Sequence, residues 1–220
     1  MKPAVKHIIL LFSVAYLLMA AFSPSSLQAL KLGKYYIESN SRLWIEGTST
    51  LNDYSCTSLR IDGQAVVDSV PGFTKIENWK DTTTKFFVEA YFKVKTKMLD
   101  CGHSIMNDDM YDALKAEKYA EISFKLENAS ILNVDDRNKK TKVKVKGLLS
   151  VAGKSKMTSL IVIISESIRD SRYRVQCTAD INMKDFDIEP PSALFGLIVA
   201  DEKLKLNLDL YISNSQYTLK

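Results

Sequence analysis

"KLKLNLDLYIS", residues 203–213, sets Leu204, Leu206, Leu208, Leu210 and Ile212 at every second position, with Lys203, Lys205, Asn207 and Asp209 between them. Successive side chains of a β-strand point to opposite faces, so only a half-buried strand makes this pattern useful. The same period runs through "TKVKVKGLLSV", residues 141–151, with Val143, Val145, Gly147, Leu149 and Val151 facing in. In "KFFVEAYFKVK", residues 85–95, Phe86, Val88, Ala90, Phe92 and Val94 share the inner face while Glu89, Lys93 and Lys95 face out. Weaker runs occur at "RLWIEGTSTL", "SLRIDGQAVVD", "EISFKLENASI", "MTSLIVIIS" and "RYRVQCTADINM". About eight strands joined by polar turns make an all-β chain, a meandering antiparallel barrel or sandwich, of which the up-and-down barrel is the architecture carried forward.

Two stretches break the pattern. "NDDMYDALKAEKY", residues 107–119, reads as one short helix: Asn107 or Asp108 is placed to cap it, and Met110, Ala113 and Leu114 form an apolar stripe. Such a helix is expected to lie over one end of the barrel. "DFDIEPPSALFG", residues 185–196, carries Pro190 and Pro191, which no central strand accommodates, and is expected to close the mouth or another loop. Residues 70–81, "VPGFTKIENWKD", read as a long loop.

The amino-terminal segment begins with Lys2 and Lys6, continues through an apolar run from Ile8 to Phe22 and ends in small and polar residues at Ala29. This is the form of a secretory signal peptide, and the run is shorter than the ~20 residues of a spanning helix. Residues 1–29 are therefore expected to be the leader and 30–220 one barrel domain. The mature protein is expected to be soluble without a stable membrane span, and periplasmic or secreted. Removing Lys2 and Lys6 takes two from the 30 Lys+Arg that face 26 Asp+Glu, leaving a nearly neutral protein. Nucleic-acid binders carry clustered basic stripes, so that class is excluded.

Export permits disulfides, and Cys56, Cys101 and Cys177 allow three pairings. In "RVQCTADINM", Val175, Cys177, Ala179, Ile181 and Met183 share the apolar face, which makes Cys177 a core thiol. Cys56 and Cys101 lie in turn-like polar surroundings and are expected to pair with each other.

Chemistry finds little purchase. Beyond His7 in the leader, His103 is the single histidine, and neither a G-x-S-x-G elbow nor a phosphate loop occurs. Asp108–Asp109 and Asp135–Asp136 are adjacent pairs, which splay apart rather than face each other across a bond. Cys56, Cys101, Cys177 and His103 could form a Cys3His zinc set, but the paired knuckle spacing is missing and Cys177 faces the core. No catalytic residue, metal or cofactor is expected.

The barrel itself remains. A closed sheet of about eight strands either fills with its own side chains or holds one slender ligand. Candidate lining residues are Phe86, Val88, Phe92, Phe124, Val145, Leu149, Ile181, Phe186, Leu206 and Leu208.

Four segments in this order, "SRLWIEGTSTLNDYSC", "KMLDCGHSIMNDDMYDALKAEKYAEISF", "VKGLLSVAGKSK" and "INMKDFDI", resemble the YceI-like family of secreted, lipocalin-like barrels over roughly residues 34–213. Family members carry an R-D-x-H-L-like segment, a short helix and K-Y-P-x-I-x-F where this chain has Met106, Asn107, Asp109 and Met110, then Lys118, Tyr119, Ala120, Ile122 and Phe124. Head-group contacts made through the missing Arg, Asp and His do not carry over. Gly147, Gly153, Asp185 and Phe186 match the family better, and the Cys56 and Cys101 form looks like a Bacteroidetes-type variant with a disulfide near the barrel end. The resemblance implies a non-catalytic protein that holds a polyisoprenoid or similar amphiphilic lipid in a long apolar pocket. A phosphate head would look to Lys97, Lys115 or Lys184. The alternative is an exported structural or interaction protein with a solid core and partner-binding loops. Oligomeric state stays open, a dimer being compatible.

Overall fold

The computed structural model describes residues 33–58, 60–68, 74–78, 86–135, 137–166, 172–193 and 197–214. The leader assigned to residues 1–29 and Asp136 lie outside them. No helix among the described residues is long and apolar enough to cross a membrane.

The strands are β1 (Gly33–Ile37), β2 (Arg42–Ser49), β3 (Asp53–Ser58), β4 (Asp62–Asp68), β5 (Thr74–Asn78), β6 (Phe86–Lys95), β7 (Glu121–Asp135), β8 (Lys140–Val151), β9 (Lys154–Glu166), β10 (Arg172–Asn182), β11 (Ser192–Ala193) and β12 (Ile198–Asn214). One α-helix, α1 (Ser104–Ala113), lies between β6 and β7. Hydrogen-bonded neighbours run β1, β4, β6, β7, β8, β9, β10, β12 and back to β1, an eight-stranded closed antiparallel barrel. Closure leaves no free edge along that ring. The up-and-down meander holds from β6 through β10.

Alternation sets the inner face as expected. In β8, Val143 and Leu149 are buried while Lys142, Lys144 and Lys146 are exposed. In β6, Val88 and Val94 are buried while Glu89 and Lys95 are exposed. Cys177 is buried and unpaired, and desolvation pushes its thiol up to about 11.

The barrel closes differently at its two ends. Towards its carboxyl terminus β12 pairs with β1 at Ile212–Asn214, and β1 pairs with β4. Further back, at Leu204–Asp209, β12 pairs with β2 instead, and β2 pairs with β3. β3 then meets the segment after β6 through one bridge, Thr57 to Asp100, with backbone N–H groups donating in both directions at 2.8 and 3.0 Å. The Cys56–Cys101 disulfide sits directly beside that bridge. The expected pairing is therefore present, although Cys56 lies buried in strand β3 rather than in a polar turn.

Three other expectations change. Within residues 70–81 the chain forms β5, antiparallel to β6 and parallel to β7 at Ile76–Asn78. A five-residue strand enclosed by two longer ones draws its hydrogen bonds from both, so it needs little alternation of its own. The helix starts at Ser104, with His103 in extended conformation as its cap residue. Neither Asn107 nor Asp108 caps it: Asn107 lies in the first turn, where its Oδ1 accepts from the Cys101 N–H at 2.7 Å and its Nδ2 donates to Asp100 at 3.0 Å. That carboxylate also accepts the Gly102 N–H, and these two bonds, Asn107 first, hold the Asp100 carboxyl below its ordinary range.

The third change concerns Asn207 and Asp209, placed on the outer face of β12 by the alternation yet only 7% and 5% exposed. Arg174 on β10 donates to both oxygens of Asp209 at 2.7 Å, and Thr178 donates to Asn207 at 3.0 Å. From the other side Arg42 lies 4.7 Å from the Trp44 ring, over the strand that pairs with this part of β12. Long side chains from both neighbouring strands cover the outside of β12, so polarity there marks an ion-pair layer rather than a wet surface.

Candidate functional site

The interior divides into two halves. Towards the end where β1 and β4 close the ring, Tyr35 and Tyr173 meet edge to face with centroids 5.6 Å apart. Both rings are about 1% exposed and are packed with Val67, Val88, Ile131, Val143 and Leu210 in one core. Among the described residues this half is a buried core.

Towards the end where β2 and β3 close the ring lies a cavity of about 420 Å³. That falls inside the ~300–1,000 Å³ typical of small-molecule sites. Its walls come from strands: Leu43 and Ile45 of β2, Phe92 and Val94 of β6, Ile122 of β7, Leu149 and Val151 of β8, Ile181 of β10, Leu204 and Leu206 of β12. Its roof comes from the non-strand stretches, with Leu99, Met106, Met110 and Leu114 on one side and Met183, Ile188 and Pro191 on the other. Tyr111 anchors the first of these by donating from its hydroxyl to the Leu99 carbonyl at 2.8 Å.

Where the two halves meet, the Phe92 and Phe124 rings stack with centroids 5.7 Å apart and planes inclined by 20°. Phe124 reaches across because Gly147 on β8 has no side chain: a Cβ there would stand 2.4 Å from the Phe124 ring and 2.4 Å from the Lys125 carbonyl oxygen. Only glycine allows that close approach of ring to backbone.

Polar groups in the wall are few. Ser49, Asn52, Tyr54, His103, Asp109 and Ser192 supply them, and among the described residues no lysine or arginine does. The Tyr54 hydroxyl is buried without a hydrogen-bond partner among the described residues, its ring lying over Gly47 of β2. Burial first, and Asp201 second, push its pKa up, so the hydroxyl stays protonated.

Of the residues expected to line a ligand site, Phe92, Leu149, Ile181, Phe186 and Leu206 stand in the cavity wall. Val88, Phe124, Val145 and Leu208 belong to the packed interior instead. Phe86 is in β6, but its side chain lies outside the described residues. The lysines considered for a phosphate head do not line the cavity. Lys97 is bonded to Glu117 and Lys184 to Glu202, while Lys115 is close enough to Asp187 to help lower its carboxyl. The helix expected over one end of the barrel and the proline segment expected at the mouth form this roof, although their residues Met110, Leu114, Ile188 and Pro191 were not among the expected lining.

The four donors of the zinc alternative are not brought together as a set: two of its sulfurs form the disulfide and Cys177 belongs to the packed core. No group of three or more His, Cys, Asp or Glu able to hold a metal occurs among the described residues.

Solved structures with this barrel are distant in sequence. A polyisoprenoid-binding domain from Saccharophagus degradans matches with a TM-score of 0.60 at 13% identity, covering 84% of this chain and 99% of that one. BcnA from Burkholderia cenocepacia matches with a TM-score of 0.57 at 13% identity, covering 80% and 98%. At that identity the likeness establishes the fold. No curated protein matches the sequence. The YceI-like domain family matches over residues 47–212, which takes in the roof of the cavity and the strands from β3 onward. The chain belongs to the YceI-like family.

Proposed function

We propose that this is an exported, non-catalytic protein that holds a polyisoprenoid or similar amphiphilic lipid in the mouth half of its barrel. The observation that carries the reading is the cavity itself: about 420 Å³, walled by aliphatic and aromatic side chains, in a barrel whose other half is a buried core. Burying an apolar tail there is favourable by ~25 cal/mol for each Å² removed from water. The domain from Saccharophagus degradans named for polyisoprenoid binding, which shares this fold, supports the choice of tail.

The head group follows from electrostatics. Among the described residues the wall holds no lysine or arginine and includes Asp109, so a phosphate would be desolvated without a counter-charge. An uncharged head suits the wall.

Organic extraction of the purified protein followed by mass spectrometry tests the reading. A stoichiometric apolar lipid is expected in the wild type and is expected to be lost in Ile181→Arg, which places a charge in the cavity wall. Protein that is reproducibly free of lipid, and that takes none from a panel of prenyl alcohols and quinones, would sink the proposal.

A further inference from the structure

The three most exposed large apolar side chains among the described residues share one place. Leu197, Ile105 and Leu51 are 77%, 75% and 71% exposed, against 45% for the next, Met157. Leu51 and Ile105 are also part of the cavity wall, and Leu197 adjoins Ile198, which is another wall residue. Isolated apolar residues on a surface need no explanation, but three tips ringing the opening of an apolar cavity form an interaction site.

Ordered backbone holds these tips outward. Ser49 organises the turn that presents Leu51, accepting from the Leu51 and Asn52 N–H groups while its own N–H donates to the Asn52 carbonyl. Thr50 joins that turn to the next segment, donating from its hydroxyl to the Leu197 carbonyl at 3.1 Å and from its N–H to the Val199 carbonyl at 3.0 Å. Ile105 stands on the first turn of α1, directly beside Met106 and Asp109 of the wall.

The charge around the rim selects the partner. Asp53, Asp100 and Asp108 are exposed there, and Lys97 and Lys184 are already bonded to carboxylates. An anionic surface would be repelled, whereas a zwitterionic one accepts apolar tips without opposing charge. We propose that the rim formed by Leu51, Ile105 and Leu197 docks on a zwitterionic phospholipid bilayer, so that lipid passes between bilayer and cavity without crossing water. This rests on the cavity being a lipid site. A second surface offers the opposite chemistry: Lys142, Lys144 and Lys146 on the outside of β8, flanked by Ile161 and Ile163 of β9, would favour anionic lipid.

Co-sedimentation with phosphatidylcholine vesicles decides the matter, using the exported protein purified from cells expressing the full chain. Binding is expected to change little between low and high salt. The Leu51→Glu/Ile105→Glu/Leu197→Glu variant is expected to partition about tenfold less or weaker still, with the wild-type melting temperature retained. Single Leu51→Glu and Ile105→Glu variants guard against a folding defect and should each show part of the loss. Docking is overturned if the triple variant binds as the wild type does, or if the wild type binds only anionic vesicles and loses that on substitution of Lys142, Lys144 and Lys146. Self-association in the absence of vesicles that the triple variant abolishes would also overturn it, by making the rim a contact between copies. Lipid absent from both proteins would tell against the cavity reading, while vesicle partition would still decide the docking.

Discussion

Two halves of one barrel are built from the same strands and end in opposite states. β12 runs through both, presenting Leu206 to the cavity and Leu210 to the packed core, and the two leucines are almost equally inaccessible at 8% and 7% exposed. What differs is the partner strand and what it brings. At the packed end β1 contributes Tyr35, which meets Tyr173 of β10 over β12, the strand with which both pair. At the open end β2 and β3 contribute Leu43, Ile45 and the disulfide, and the opposite wall is a roof of helix and loop rather than another large ring. Inward alternation thus determines which side chains enter the lumen, while the identity of the closing strand determines whether they meet.

The strongest way to break this contrast is to truncate both leucines. Leu210→Ala is expected to cost about 3–4 kcal/mol, since it adds a new void to a buried core. Leu206→Ala enlarges a space that already exists and is expected to cost about 2 kcal/mol, the transfer contribution alone. Equal losses in denaturant titrations would mean that the halves are packed alike.

Next comes the staple at the open end, where a single bridge joins β3 to the chain after β6. Cys56→Ser/Cys101→Ser is expected to lower stability by about 2–4 kcal/mol, because the bond closes a separation of 45 residues. Hydrogen exchange sharpens the result: protection should fall in β2 and β3 and persist in β1 and β10. Cys177 should stay unreactive to thiol reagents in the native variant, since its thiol is pushed up to about 11 by burial.

A smaller effect is expected at the Arg174–Asp209 pair outside β12. Arg174 holds the Asp209 carboxyl below its ordinary range through the hydrogen bond first and charge second, with burial opposing. A depressed folded-state value adds stability that is fully present above the unfolded carboxylate pKa, near 3.9, and is lost as pH falls through the folded value. Asp209→Asn is expected to cost about 1–2 kcal/mol at neutral pH, Arg174 being half-exposed, and to flatten the melting-temperature profile on its acid side. An unchanged acid limb would show that the pair contributes nothing.

The smallest effect on stability belongs to Tyr54→Phe. Removing a buried hydroxyl that has no partner should leave the fold unchanged or stabilise it by up to about 1 kcal/mol. Lipid retention should stay at the wild-type level, because that hydroxyl is closed off even from water and does not face the cavity. Weakened retention would show that it reaches the ligand.

Much of the fold was legible because period-two alternation states directly which side chains face inward, as at Leu204–Ile212 and Val143–Val151. Cys177 as a core thiol followed from the same faces; the Cys56–Cys101 pairing was expected from turn-like surroundings, although Cys56 is a buried strand residue. The exchange of β1 for β2 along β12 was not legible, since alternation says nothing about which strand lies alongside. Burial of Asn207 and Asp209 escaped for a related reason: the covering side chains Arg174, Thr178 and Arg42 are distant in sequence. The cavity escaped most of all. Phe124 and Phe92 look equivalent as inward aromatics, yet only Phe92 stands in the wall, because facing the lumen does not say how near the opposite side is.

The stacked pair of Phe92 and Phe124, with Gly147 beneath it, also acts as a ruler. Inward positions recur every two residues along a strand, so moving that aromatic step by one inward position would lengthen or shorten the chamber by about 6.8 Å. If the chamber holds the proposed lipid, relocating a single glycine and the ring that rests on it would suit this barrel to a tail of different carbon number, with every strand pairing left in place.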